Sequence, residues 1–216
     1  MGAIETNRKA DHISERAVDE FLNRFFYKKV FNKIQPITDG SMQLKGVDII
    51  ADGLKIDNKA MSDPQYLNNP ANSFVLEICS FAQGQYQLGW FLNPALETTH
   101  YLFVWLHEVD VQPGGYITNS KQIKQIEVML VNKEKIHEYI NSCHSDQELK
   151  DTAKLMILKK LDRKYTVNFG LKKPTIHFAH SIHKAEGPVT LVVPKNILKQ
   201  SAEKHCIVTA QSITDI

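Results

Sequence analysis

Apolar positions recur near the helical period over residues 14–31, where Ala17, Phe21, Leu22, Phe25 and Phe26 share one side and Ser14 or Asp11 can cap the start. Pro36 and the run Thr38-Asp39-Gly40-Ser41 then bring turn chemistry. Two short β-type runs follow, residues 46–51 and 54–59, joined by Asp52-Gly53. That pair favours the primed turn whose twist matches a hairpin. Residues 61–72 carry Asp-Pro and Asn-Asn-Pro and read as a loop with one helical turn near 65–68. Further strands are predicted at 74–79, 85–91 and 101–106, the last apolar enough to sit centrally. Residues 123–131 fit the strand and helix periods alike. Helices are predicted over 133–141 and 146–161, the second with a stripe of Leu149, Ala153, Met156, Ile157 and Leu161. A β-like run at 189–193, a short helix from Pro194 through Lys199 and a strand at 206–209 close the chain. Helix, strands and then mixed elements define an α/β (or α+β) class.

Composition narrows the function classes without choosing among them. At 216 residues, 43% apolar and 23% charged, the chain fits a single globular domain spanning 1–216. Its longest apolar stretches, such as 101–106, are too short to span a bilayer, so no membrane partner is expected. The N-terminus, with Glu5, Arg8, Lys9 and Asp11, lacks the apolar core of a secretory signal. Three cysteines at unpaired spacing argue against a disulfide framework and point to a reducing, cytoplasmic setting. A net charge of +2 means that nucleic-acid binding must rest on local clusters. Arg24, Lys28, Lys29 and Lys33 form one such cluster, and Lys159, Lys160, Arg163 and Lys164 another. Each also reads as a solvated helix face.

The hairpin carries the chemistry. Side chains alternate along a strand, so Asp57 and Lys59 share a face while Leu54, Ile56 and Asn58 take the other. A turn at Asp52-Gly53 can return Asp48 to the Asp57/Lys59 pair. Two carboxylates with the backbone carbonyl of Asn58 suit a hard cation such as Mg²⁺ (or Mn²⁺). Such a cation polarises a phosphodiester and acidifies bound water, and Lys59 would orient that water or stabilise transition-state charge.

Asp48 followed by Asp57-Asn58-Lys59, on adjacent strands after a helix, resembles the PD-(D/E)xK superfamily of nucleases. The resemblance covers roughly residues 10–110. It implies a restriction-endonuclease-like core, with a central mixed β-sheet flanked by helices, and an α/β C-terminal elaboration over 115–216. It further implies DNA as substrate, Asp48, Asp57 and Asn58 as metal ligands, and Lys59 as a catalytic residue. Many members carry a glutamate on the first helix, for which Glu20 and Glu15 are candidates, Glu20 lying deeper. The chain departs from the pattern at Val47, which replaces the proline, and at Asp57, one methylene shorter than glutamate. Enzymes that cut both strands often pair two sites, so the resemblance also admits a homodimer.

Glu77 stands in the otherwise apolar run 74–79. It reads either as a further metal ligand or partner of Lys59, should that strand neighbour the hairpin, or as a strand-edge glutamate facing solvent. His177, His180 and His183 recur every third residue ahead of Glu186, a spacing foreign to standard zinc sites. Two other readings compete with the nuclease: a catalytically inactive nuclease-like module that binds nucleic acid or protein, and an enzyme acting on a small phosphorylated substrate.

Overall fold

Helix α1 (Gly2–Leu22) buries Ser14, Ala17, Val18, Phe21 and Leu22, the i, i+3, i+4, i+7, i+8 set of one helical face. The computed structural model describes residues 2–37, 40–82, 84–161, 165–166, 176–182 and 187–216. α1 runs into a π-helical turn, Asn23–Tyr27, and then the short α2 (Lys28–Val30). In an ideal α-helix, eight residues would leave Tyr27 about 80° off the direction of Asp19. The wider π turn rotates each residue less, so Phe26 and Tyr27 are both buried. The single helix expected over 14–31 is thus interrupted where its aromatic run falls.

The chain continues through β1 (Ile34–Pro36), α3 (Gly40–Gln43), β2 (Ile49–Ala51) and β3 (Leu54–Met61). Of the turn expected at 38–41, residues 38 and 39 lie outside the described residues. β4 (Ser73–Ala82) and β5 (Gln85–Leu88) precede β6 (His100–Val109) and β7 (Ile123–Asn132). Then come α4 (Lys133–Asn141), α5 (Asp146–Leu158), β8 (Tyr165–Thr166), β9 (His177–His180), β10 (Val189–Pro194), α6 (Lys195–Leu198), β11 (Ala202–Thr209) and β12 (Ile213–Asp215). The ambiguous run at 123–131 is a strand, because it pairs with β6 on one side and β11 on the other.

Two compact units result, one from Met1–Ala71, Glu97–Lys133 and Ala202–Ile216, the other from Asn72–Leu96 and Glu134–Ser201. The first holds a mixed sheet of order β1-β2-β3-β6-β7-β11-β12, the second a sheet of order β5-β4-β10-β9-β8. Strands β7, β11 and β12, within the stretch expected as a C-terminal elaboration, complete the first sheet. Residues 100–106 of β6 are all buried, as a near-continuous apolar run in mid-sheet requires. β6 runs parallel to β3, and the other pairings are antiparallel.

α1 covers one face of the seven-stranded sheet. Phe21, Leu22 and Phe26 pack with Ile56 of β3, Leu102, Val104 and Leu106 of β6, Ile126 and Val128 of β7, and Val208 of β11. Each fully buried Phe or Leu contributes about 1.5–3 kcal/mol relative to exposure. That packing fixes α1 against β3, and with it the helix residues that reach the hairpin. Cys79, Cys143 and Cys206 are free thiols. Among the described residues, no helix is long and apolar enough to cross a membrane.

Candidate metal centre on the β2–β3 hairpin

The turn that sets the site is Asp52-Gly53, both at positive φ (49° and 87°), as a primed two-residue turn demands. The Asp52 carboxylate accepts from the backbone N–H groups of Asn32 (3.1 Å) and Lys33 (2.7 Å), tying the turn to the segment after α2. Those bonds hold its carboxyl below the usual range. Asp48 lies one residue before β2, and its N–H still donates to the carbonyl of Ile56 (2.9 Å). Pairing therefore extends to Asp48, and the carboxylate returns to β3 as the sequence predicts.

On β3 the alternation separates two sets of groups. Ile56 and Asn58 face α1, while Asp57 and Lys59 face the other side with Tyr101, aligned with Asp57 on β6. Asp57 is 3% exposed, and its Oδ1 accepts from the Lys59 ammonium at 2.8 Å. Its Oδ2 is buried and meets no hydrogen-bond donor among the described residues. Burial pushes the Asp57 carboxyl up to about 7, against the pull of Lys59 and with a further push from the Asp48 carboxylate. Burial also raises the Tyr101 hydroxyl, and the charge of Asp57 adds to it. Lys133, two residues beyond the Val131 that aligns with Tyr101, is lowered by burial while the charge of Asp57 opposes the shift.

Asn58 organises the helix-facing side. Its backbone N–H donates to Asp48 Oδ2 (2.7 Å), and its side-chain amide donates to Asp19 Oδ1 (3.0 Å). The amide oxygen accepts from the Tyr27 hydroxyl (2.5 Å). Burial raises Asp19 to about 6, opposed by the Asn58 amide and reinforced by the charges of Asp48 and Glu15. The Tyr27 hydroxyl is driven well above its ordinary value, chiefly by burial. In a strand, the N–H and C=O of one residue point to the same edge, so the Asn58 carbonyl lies on the edge that faces Asp48.

The helix carboxylate bonded to the hairpin is Asp19; Glu20 is exposed, and Glu15 is exposed against His12. One residue of helix turns a side chain by about 100°, enough to carry Glu20 off the hairpin-facing side. Glu77, half-buried on β4, belongs to the five-stranded sheet, and the strand paired with β3 beyond the hairpin is β6. No motif or spacing marks Asp19, Tyr27 or Lys133, and Tyr101 stands out only as one aromatic of an apolar strand. Only the π turn and the β3–β6–β7 register bring them to bear. His183, Glu186, Arg163 and Lys164 lie outside the described residues, and His180 Nδ1 is 2.7 Å from the carbonyl of Leu161.

Asp48, Asp57 and the Asn58 carbonyl supply oxygen donors, the kind that a hard divalent cation takes. Mg²⁺ commonly takes one or two carboxylates and leaves its other positions to water and substrate phosphate. Here two neighbouring carboxylates, one with a buried oxygen lacking a donor, stand beside a strand carbonyl. Among the described residues, no group of three or more His, Cys, Asp or Glu side chains is arranged to hold a metal. Comparison of the chain with protein-family models, curated proteins and solved structures returns no match.

Proposed function

We propose that the chain is a metal-dependent nuclease hydrolysing DNA phosphodiester bonds on a restriction-endonuclease-like core. The carrying observation is the buried Asp57, with an oxygen lacking a donor, beside both Asp48 and the Lys59 ammonium. A helix, an Asp-bearing strand edge and an Asp-x-Lys strand in that order support the same reading. Asp48, Asp57 and the Asn58 carbonyl would hold Mg²⁺ or Mn²⁺, which supplies Lewis acidity and a more acidic bound water. Lys59, 2.8 Å from Asp57 Oδ1, would orient the nucleophile or stabilise charge on the phosphoryl oxygens. Asp19 acts through Asn58 as a positioning residue.

The test is cleavage of labelled single-stranded, duplex and branched DNA with Mg²⁺. Lys59→Ala and Asp57→Ala should each lower the rate by at least about 100-fold while far-UV circular dichroism is unchanged. Equal cleavage by wild type and both variants would sink the proposal, as would no cleavage of any substrate by wild type. A second reading, a catalytically inactive nuclease-like module that binds nucleic acid or protein, draws on the lack of a three-side-chain metal group among the described residues. It predicts no divalent-cation binding at Asp48 and Asp57.

A further inference from the structure

A groove of about 260 Å³ opens where the π-helical turn, the start of β7 and the β11–β12 turn meet. Arg24, Lys121 and Lys124 line it, and among the described residues no carboxylate does. Three like charges around one opening stand out in a chain whose net charge is only +2. Two of them are held in place. The Arg24 guanidinium sits 5.0 Å from the Phe25 ring centroid, and Lys124 Nζ donates to the carbonyl of Lys121 at 3.1 Å. All three side chains are exposed, so a ligand can reach them from solvent. Gln211 adds a neutral hydrogen-bonding group, and Phe25 an apolar wall.

We propose that this groove is a phosphate-binding subsite that anchors a nucleic-acid strand outside the hairpin centre. The proposal rests on the nuclease reading for the identity of its ligand. Fixed cations on an open wall bind phosphodiester oxygens irrespective of base, and the apolar ring offers a surface to a sugar or base face. Ile123 at the start of β7 aligns with Val109 of β6, eight residues along that strand from the Tyr101 that aligns with Asp57, so the groove lies about 26 Å along the sheet and two strands across from the hairpin centre. The two offsets together make about 28 Å, or about eight phosphate steps along one strand of a duplex. The groove would therefore anchor the strand well away from the hairpin centre, on the sheet side that α1 covers.

The experiment is fluorescence anisotropy of a labelled DNA duplex in EDTA over a range of salt, where binding is read apart from cleavage. Wild type is compared with the triple variant Arg24→Ala/Lys121→Ala/Lys124→Ala. A second triple variant removes equal charge from α5 and its end, through Lys150→Ala/Lys154→Ala/Lys159→Ala. The groove variant should bind at least about 10-fold more weakly, with a salt slope shallower by about 2.7, at about 0.9 for each of three lost phosphate contacts. The charge-retaining Arg24→Lys/Lys121→Arg/Lys124→Arg should recover most of the affinity. Equal losses in the two alanine triples overturn the proposal, as does wild-type affinity in the groove variant or no DNA binding by wild type at low salt. DNA affinity that depends on the groove in a protein that cuts nothing leaves the anchor standing and removes only the nuclease reading.

Discussion

Asn58 is the residue on which the geometry turns. Its main chain fixes Asp48 and its side chain fixes Asp19, so one position between Asp57 and Lys59 holds carboxylates from two other segments. If Asp19 works by holding Asn58, its loss should act on metal affinity more than on turnover with saturating metal. Asp19→Ala should weaken Mn²⁺ binding by about 10- to 100-fold, the range for groups that support a ligand from behind. Rates at saturating Mn²⁺ should fall far less, and Asp19→Asn should recover part of the affinity. An equal loss at all metal concentrations would make Asp19 a direct participant instead. Asp57 and Lys59 were legible in the sequence because strand alternation alone puts them on one face. Asp19 was not, since its pairing with Asn58 depends on how α1 lies across the sheet.

The hairpin is the element that delivers the site. Asp52 and Gly53 occupy left-handed conformations, and a Cβ on Gly53 would meet nothing within 4 Å. Replacing Gly53 by alanine therefore costs backbone strain and no clash, about 1–2 kcal/mol. Chemical denaturation should read that loss, with metal binding retained in the folded fraction. A stability equal to wild type would mean that the turn is not held in its primed form. Local signals such as Asp-Gly made this hairpin readable, as did the unbroken apolar run of β6. The π-helical turn, the membership of β4 in a second sheet and the short β12 were not readable. Each depends on partners distant in sequence, and β4 carries the same apolar pattern whichever sheet it joins.

Across the whole molecule, the raised carboxyls tie stability to pH and to cations. Asp57 at about 7 and Asp19 at about 6 hold protons in the folded protein that the unfolded chain, near 3.8, gives up. Their contribution is complete below the unfolded value and is lost as pH rises through the folded ones. Glu97, lowered to about 2 by the ammonium groups of Lys45 and Lys55, acts oppositely, and its contribution is lost as pH falls below the ordinary glutamate range. The metal-free protein should accordingly be most stable at ~pH 4 and lose stability steadily toward ~pH 8. A cation on the ionised carboxylates replaces those protons, so Mg²⁺ should raise the melting temperature more at ~pH 8 than near pH 5. Asp57→Asn should abolish most of that difference, and an equal Mg²⁺ effect at both pH values would contradict the linkage.

The central claim is that Asp48 and Asp57 together hold a divalent cation, and calorimetric titration of the metal-free protein with Mn²⁺ tests it most directly. Saturable binding of Mn²⁺, displaced by Mg²⁺ and lost in both Asp48→Asn and Asp57→Asn, is the predicted result. Absence of binding up to millimolar Mn²⁺, or binding that survives both substitutions, would contradict it.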